Sequence, residues 1–158
     1  MNEWLARALG AGELRPIAHL PGSPEGFGVG RIIDLANPAT LTELLPVIKQ
    51  HLGIHQVRMA MAPRHRAGEP ITRAAVCAGA GGSVFEQCRE RVDLLLTGEM
   101  RHHDILYRVE TGTSVIVTDH SNSERGYLPK LAQRLQQHFG GELALHVASA
   151  DGDPLTIT

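Results

Sequence analysis

An excess of positive charge is the first thing this 158-residue chain lacks: 15 lysines and arginines face 17 aspartates and glutamates, a formal net charge of −2. A protein whose main partner is nucleic acid carries a basic face, and this balance supplies none, so no nucleic-acid partner is expected. Long apolar runs are also missing. No stretch approaches the ~20 residues of a membrane-spanning helix, and no membrane partner is expected. The opening MNEWLARALGAGEL carries acids and an amphipathic pattern in place of a basic segment and an apolar block, which is not a secretory signal. Cysteine is scarce as well. Cys77 and Cys88 make no disulfide framework and read as free thiols in a reducing compartment, so the expected location is cytoplasmic.

What is present fits an ordinary globular composition, with 42% hydrophobic residues. The length suits one compact domain over residues 1–158. Helical spacing of Trp4, Leu5, Ala8 and Leu9 predicts a short helix over 3–9. A turn-rich loop follows at 18–26, then an alternating segment, 27–33, that reads as a strand. Thr40 and Glu43 fit a capping box that opens a helix with Leu41, Leu44, Leu45, Ile48 and Leu52 on its buried face and Gly53 as its stop. Pro46 contradicts that helix locally. Strands are predicted at 57–61, 73–77, 93–97, 114–118 and 143–148, with another at 154–158. A polar, hairpin-like loop is expected at 62–70 and helices at 84–91, 102–110 and 122–139. Alternating strands and helices predict an α/β fold, with a mixed, partly parallel sheet flanked by helices.

Chemistry concentrates in the run DLLLTGEMRHHDILYRVETGTSVIVTDHSNSERGYLP, residues 93–129. Two apolar bursts, Leu94–Leu96 and Val115–Val117, end in Thr97-Gly98-Glu99 and Thr118-Asp119-His120. Ligand crevices in open α/β sheets lie beyond the carboxyl ends of strands, so two such endings point to one shared site. His120 and Glu124 are four residues apart, and imidazole nitrogen with carboxylate oxygen suits a first-row divalent ion. The same segment also reads as a capping box, Ser121-Asn122-Ser123-Glu124, in which Glu124 merely closes a helix start. Glu99, His103 and Asp104 offer ligands or a proton carrier, although His102, His103 and Asp104 also suit a solvated first helical turn. The Gly79–Ser83 loop is either an anion cradle or a tight packing turn. It matches neither G-x-G-x-x-G nor a P-loop. The other histidines lack ligand spacing.

Together, VCAGAGGS, DLLLTGEMRHHDIL and VIVTDHSNSERGYLPKLAQRL resemble the NIF-three-like family, whose members also carry the designation GTP cyclohydrolase type 2 homologue. The likeness spans most of residues 1–158 and is tightest from 73 to 131. It implies a dinuclear metal centre, with zinc, iron, manganese or a similar divalent ion held in part by His120 and Glu124, which match the family's C-terminal H-x-x-x-E pair. It also implies toroidal hexamers. Family members reach this region only after a longer N-terminal half bearing paired histidines, and His51 and His55, astride Gly53, are a weak substitute. The resemblance therefore implies the C-terminal portion of the family fold, with an incomplete dinuclear site, partnered by further copies or by a complementary N-terminal chain. The expected activity is metal-dependent hydrolysis of a nucleotide-like or phosphorylated substrate, with Glu99 and His103 as catalytic residues handling protons. The rival expectation is a non-catalytic metal-binding or oligomerisation module.

Overall fold

The computed structural model describes residues 1–151 and 153–155. Its frame is a six-stranded mixed sheet in the order β1-β4-β6-β7-β8-β5, formed by β1 (Gly12–Arg15), β4 (Arg31–Ala39), β5 (Arg58–Ala60), β6 (Ile71–Ala80), β7 (Leu94–Glu99) and β8 (Ser114–Val117). A separate two-residue hairpin pairs β2 (Ala18–His19) with β3 (Gly28–Val29). The central β6, β7 and β8 run parallel, while β1, β4 and β5 join antiparallel. The partly parallel α/β sheet expected from the sequence is the one observed.

Near-continuous burial explains the parallel centre. Leu94, Leu95 and Leu96 are all fully buried, as are Ala74, Ala75 and Val76, because apolar layers cover both faces. On one face Ile33, Val76, Leu96 and Ile116 pack under α1 (Asn2–Ala6) and α2 (Leu41–Leu52). On the other, Ala75, Leu95 and Val115 meet Phe85 of α4 (Gly82–Phe85) and Ile105 of α5 (His102–Glu110). Register aligns Cys77, Thr97 and Val117 across the three parallel strands, so their carboxyl ends stop side by side.

The α2 capping box forms as written: Thr40 Oγ1 accepts from the Glu43 amide, and Glu43 Oε2 accepts from the Thr40 amide at 2.8 Å. Gly53 closes the helix in the left-handed region at φ 68°. Pro46 is accommodated because it is exposed, and the carbonyl it leaves unpaired belongs to Thr42, also exposed.

Several expected boundaries move. The strand expected at 27–33 breaks at Gly30, whose φ of 61° turns the chain from β3 into the longer β4. β1 was not expected at all. The loop at 62–70 contains one helical turn, α3 (Pro63–Arg66), and the helix expected at 84–91 shrinks to the single turn of α4. The helix expected at 122–139 begins as two 3-10 turns, Ser121–Ser123 and Arg125–Tyr127, before α6 (Leu128–His138). Residues 143–148 form no strand. The strand expected at 154–158 falls in part outside the described residues.

Candidate functional site

The three parallel strands deliver their terminal residues to one corner of the sheet. Glu99 ends β7 opposite Ala80 of β6, and β8 continues through Thr118 and Asp119 to His120. There Glu99 Oε2 lies 3.2 Å from His120 Nδ1, while Glu124 Oε2 lies 3.9 Å from Nε2 on the other side of the same ring. The side chains of Glu99, His120 and Glu124 are 49%, 49% and 36% exposed, so the group is open to a ligand from solvent.

Glycine makes the convergence possible. A Cβ built on Gly79 would lie 2.9 Å from Glu124 Oε1 and 3.0 Å from His120 Nε2, and the φ of 68° there also disfavours any side chain. At Gly98 a Cβ would sit 2.7 Å from Ser123 Oγ and 2.8 Å from the Gly79 carbonyl. One fully buried hydroxyl ties these turns together: Ser123 Oγ accepts from the Gly79 amide at 2.8 Å and donates to the His120 carbonyl at 2.7 Å. Thr97 Oγ1, also fully buried, donates to the Gly79 carbonyl at 3.1 Å.

The competing capping reading does not form. Ser121 opens a 3-10 turn with His120 in the capping position, and no side chain caps it. Glu124 is thereby left free to face His120. Ligand bonds of about 2.1 Å at a tetrahedral angle place two donors roughly 3.4 Å apart, so a 3.9 Å pair resting on a glycine-lined floor fits one divalent ion with little adjustment. Among the described residues no group of three or more His, Cys, Asp or Glu side chains closes around a common point. The reason is geometric: Glu99 and Glu124 approach different nitrogens of the His120 ring, Nδ1 and Nε2. Cys77 sits beneath this corner, 5% exposed, and burial together with the Glu124 charge pushes its thiol up, which keeps it protonated.

His103 lies apart. It is exposed on the first turn of α5, with its ring edge-on to His102 at 5.7 Å between centroids. Asp104, one residue on, instead joins Glu99 in lining an open cleft of about 620 Å³ with Ser83, Glu86, Met100 and Arg101. The glycine loop contributes Gly82 and Ser83 to that cleft, but α4 behind it is a single turn. Asp119 turns away from Glu124's side of the ring to pair with Arg58 of β5 at 2.7 Å. Sequence reasoning missed Arg58 and Ser123, whose roles arise only once strands and turns are stacked.

The N-terminal helix braces the corner from below. Asn2 Oδ1 accepts from the Ala78 amide at 2.8 Å, and Trp4 packs on the turn that follows Glu124.

A sequence model of the Duf34/NIF3 (NGG1p interacting factor 3) family matches residues 1–154. The chain belongs to the Duf34/NIF3 family. It is 37% identical to NGG1-interacting factor 3 of Saccharomyces cerevisiae, covering 99% of this chain and 56% of that protein. It is 32% identical to NIF3-like protein 1 of Drosophila melanogaster, over 98% of this chain and 51% of that one. The chain thus spans about half the length of these curated relatives. Among solved structures, Staphylococcus aureus hypothetical protein SA1388 superposes with a TM-score of 0.81 at 18% identity, over 99% of this chain and 63% of its own. A protein ybgI of unknown function superposes at 0.66 with 26% identity, over 86% of this chain and 50% of its own. The first of these likenesses establishes the shared NIF3 fold. No described helix is long and apolar enough to cross a membrane.

Proposed function

We propose that this Duf34/NIF3 chain holds a divalent metal ion with His120 and Glu124 and contributes that ion to hydrolysis of a nucleotide-like or phosphorylated substrate, in line with the GTP cyclohydrolase type 2 resemblance. The observation that carries the reading is the 3.9 Å approach of His120 Nε2 to Glu124 Oε2 over Gly79. A bound divalent ion supplies Lewis-acid polarisation of a substrate oxygen and of water. The protein's own groups do the rest. Glu99 Oε2, 3.2 Å from Nδ1, is placed to orient the His120 ring, leaving Nε2 on the side of Glu124 and the ion. The cleft beside Glu99 offers Arg101 to an anionic substrate group and Asp104 to a proton or hydroxyl, whereas His103, the other proton carrier of this reading, is exposed on α5 outside the cleft lining. With two donors from this chain, further ligands come from water or from other protein segments, including further copies in a homo-oligomer. The setting is a cytoplasmic one.

Metal analysis of the purified chain tests this reading. Wild-type protein is expected to retain zinc, iron or manganese that His120→Ala and Glu124→Gln lose. Equal metal content in all three defeats it. A second reading, a non-catalytic interaction module, draws on the yeast relative's being named an interacting factor and on the exposed Leu106, Tyr107, Leu131 and Phe139 on or beside the outer helices. Light scattering on the purified chain separates this reading, since a strict monomer counts against it.

A further inference from the structure

Asp119 is the sole described non-glycine residue with a positive φ, at 69°. Left-handed backbone disfavours side chains, and asparagine and aspartate tolerate it best. Such a conformation persists where surrounding contacts over-determine it, and those contacts are visible here. The Asp119 carboxylate pairs with Arg58 Nη2 at 2.7 Å, reaching from the end of β8 to the edge strand β5. Its carbonyl accepts from the Ser123 amide at 3.3 Å and lies where a Cβ on Gly98 would approach within 2.9 Å. The next residue is His120, whose ring is thrown back over Gly79 instead of continuing along the strand direction.

From these contacts we infer that Asp119 and Arg58 are positioning residues: the ion pair holds the left-handed turn that aims His120 at Glu124 and Glu99. The role assigned to Asp119 is to hold the turn, with its Oδ1 on the Arg58 guanidinium. Arg58, 68% exposed at the side chain, acts as an external latch. The inference rests on the metal reading above for its consequence, but its geometric content stands independently.

Substitution separates fold from aim. Glycine adopts φ 69° without strain, which offsets its greater unfolded-state freedom and the lost exposed ion pair, so Asp119→Gly is expected to stay folded with a melting temperature close to wild type. It is also expected to bind Co2+ about tenfold more weakly, the loss typical of an outer-shell partner. Arg58→Met is expected to show the same loss, and Asp119→Asn, which keeps both left-handed tolerance and an oxygen for Arg58, to retain near wild-type affinity. In metal-free protein the His120 Hε1 proton is expected to give a nuclear Overhauser contact to Gly79 Hα, since Cε1 lies 3.2 Å from the Cβ position of that glycine. Asp119→Gly is expected to lose that contact. Wild-type Co2+ affinity and an intact contact in Asp119→Gly overturn the inference. Should wild-type protein take up no more Co2+ than His120→Ala, the metal reading fails, and the Overhauser contact alone then decides whether Asp119 aims the ring.

Discussion

The indole of Trp4 occupies the space a side chain at position 126 would need: a Cβ on Gly126 would lie 2.6 Å from Cζ2 of Trp4. Trp4 also stacks obliquely on His51 at 4.7 Å and on Tyr127 at 6.2 Å, so a helix from the start of the chain supports the turn two residues after Glu124. Gly126→Ala is therefore expected to destabilise the chain by about 1–3 kcal/mol through overpacking. Urea unfolding measures this, and Trp4 fluorescence reports the displaced indole in the same samples.

Gly79→Ala probes the floor of the proposed metal site. The added methyl meets both His120 and Glu124, and left-handed backbone costs about 1–2 kcal/mol for a residue with a Cβ. The expected result is modest loss of stability with disproportionate loss of divalent-ion uptake, measured by calorimetric titration beside a melting curve. Unchanged uptake would show that His120 and Glu124 do not depend on this glycine.

At the opposite end of the parallel strands, Asp93 accepts from Arg64 at 2.6 Å, from the Thr72 amide and hydroxyl at 2.8 and 2.7 Å, and from the Arg73 amide at 3.0 Å. Burial alone would raise its pKa, but these donors hold it down at about 2. A depressed carboxylate contributes stability above its unfolded value, and that contribution disappears as pH falls from about 4 toward 2. Asp93→Asn is expected to cost about 2 kcal/mol at neutral pH, with the gap to wild type narrowing through that window. Denaturant midpoints at several pH values provide the check.

His65 gives a second window of the opposite chemical kind. Its Nδ1 meets Ser114 Oγ at 2.6 Å, and that hydroxyl also accepts from the Ala62 amide at 2.9 Å. Nε2 is buried and has no partner among the described residues. Burial, reinforced by the neighbouring Arg64 cation, lowers the His65 pKa below 6.5. The unfolded chain then takes up the proton first, so stability falls as pH drops below 6.5. His65→Gln is expected to flatten this part of the profile, read as melting temperature between pH 7.5 and 5. An undiminished slope would place the titration elsewhere, with half-buried His51 the next group to test.

Periodicity and capping chemistry made the central elements legible. Leu94–Leu96 and Val115–Val117 announce buried strands, and Thr40 with Glu43 marks α2, because these signals are local. The site corner was legible in part: His120, Glu124 and Glu99 stand at strand ends in the sequence, and the fold brings them together. Which ring nitrogen of His120 each carboxylate approaches was not legible, since that depends on how the turns stack. β1 escaped notice because Gly12–Arg15 has no alternating apolar pattern. It is held by its register with β4 and by Arg15, which pairs with Asp34 and with Glu90 across the sheet. The predicted 84–91 helix stops after Phe85, and the apolar contacts of Cys88 and Val92 come from irregular backbone packed on the sheet face.

The parallel centre of the sheet has a kinetic consequence. The Gly79, Glu99 and His120 corner draws on positions roughly twenty residues apart in each step, and both parallel pairings require a closed crossover before they form. An unfolded or half-assembled chain owns only the short His120–Glu124 segment, with neither floor nor orienting carboxylate. Uptake of an ion at the proposed site during refolding would thus report the joining of β6, β7 and β8, whatever the state of the outer strands.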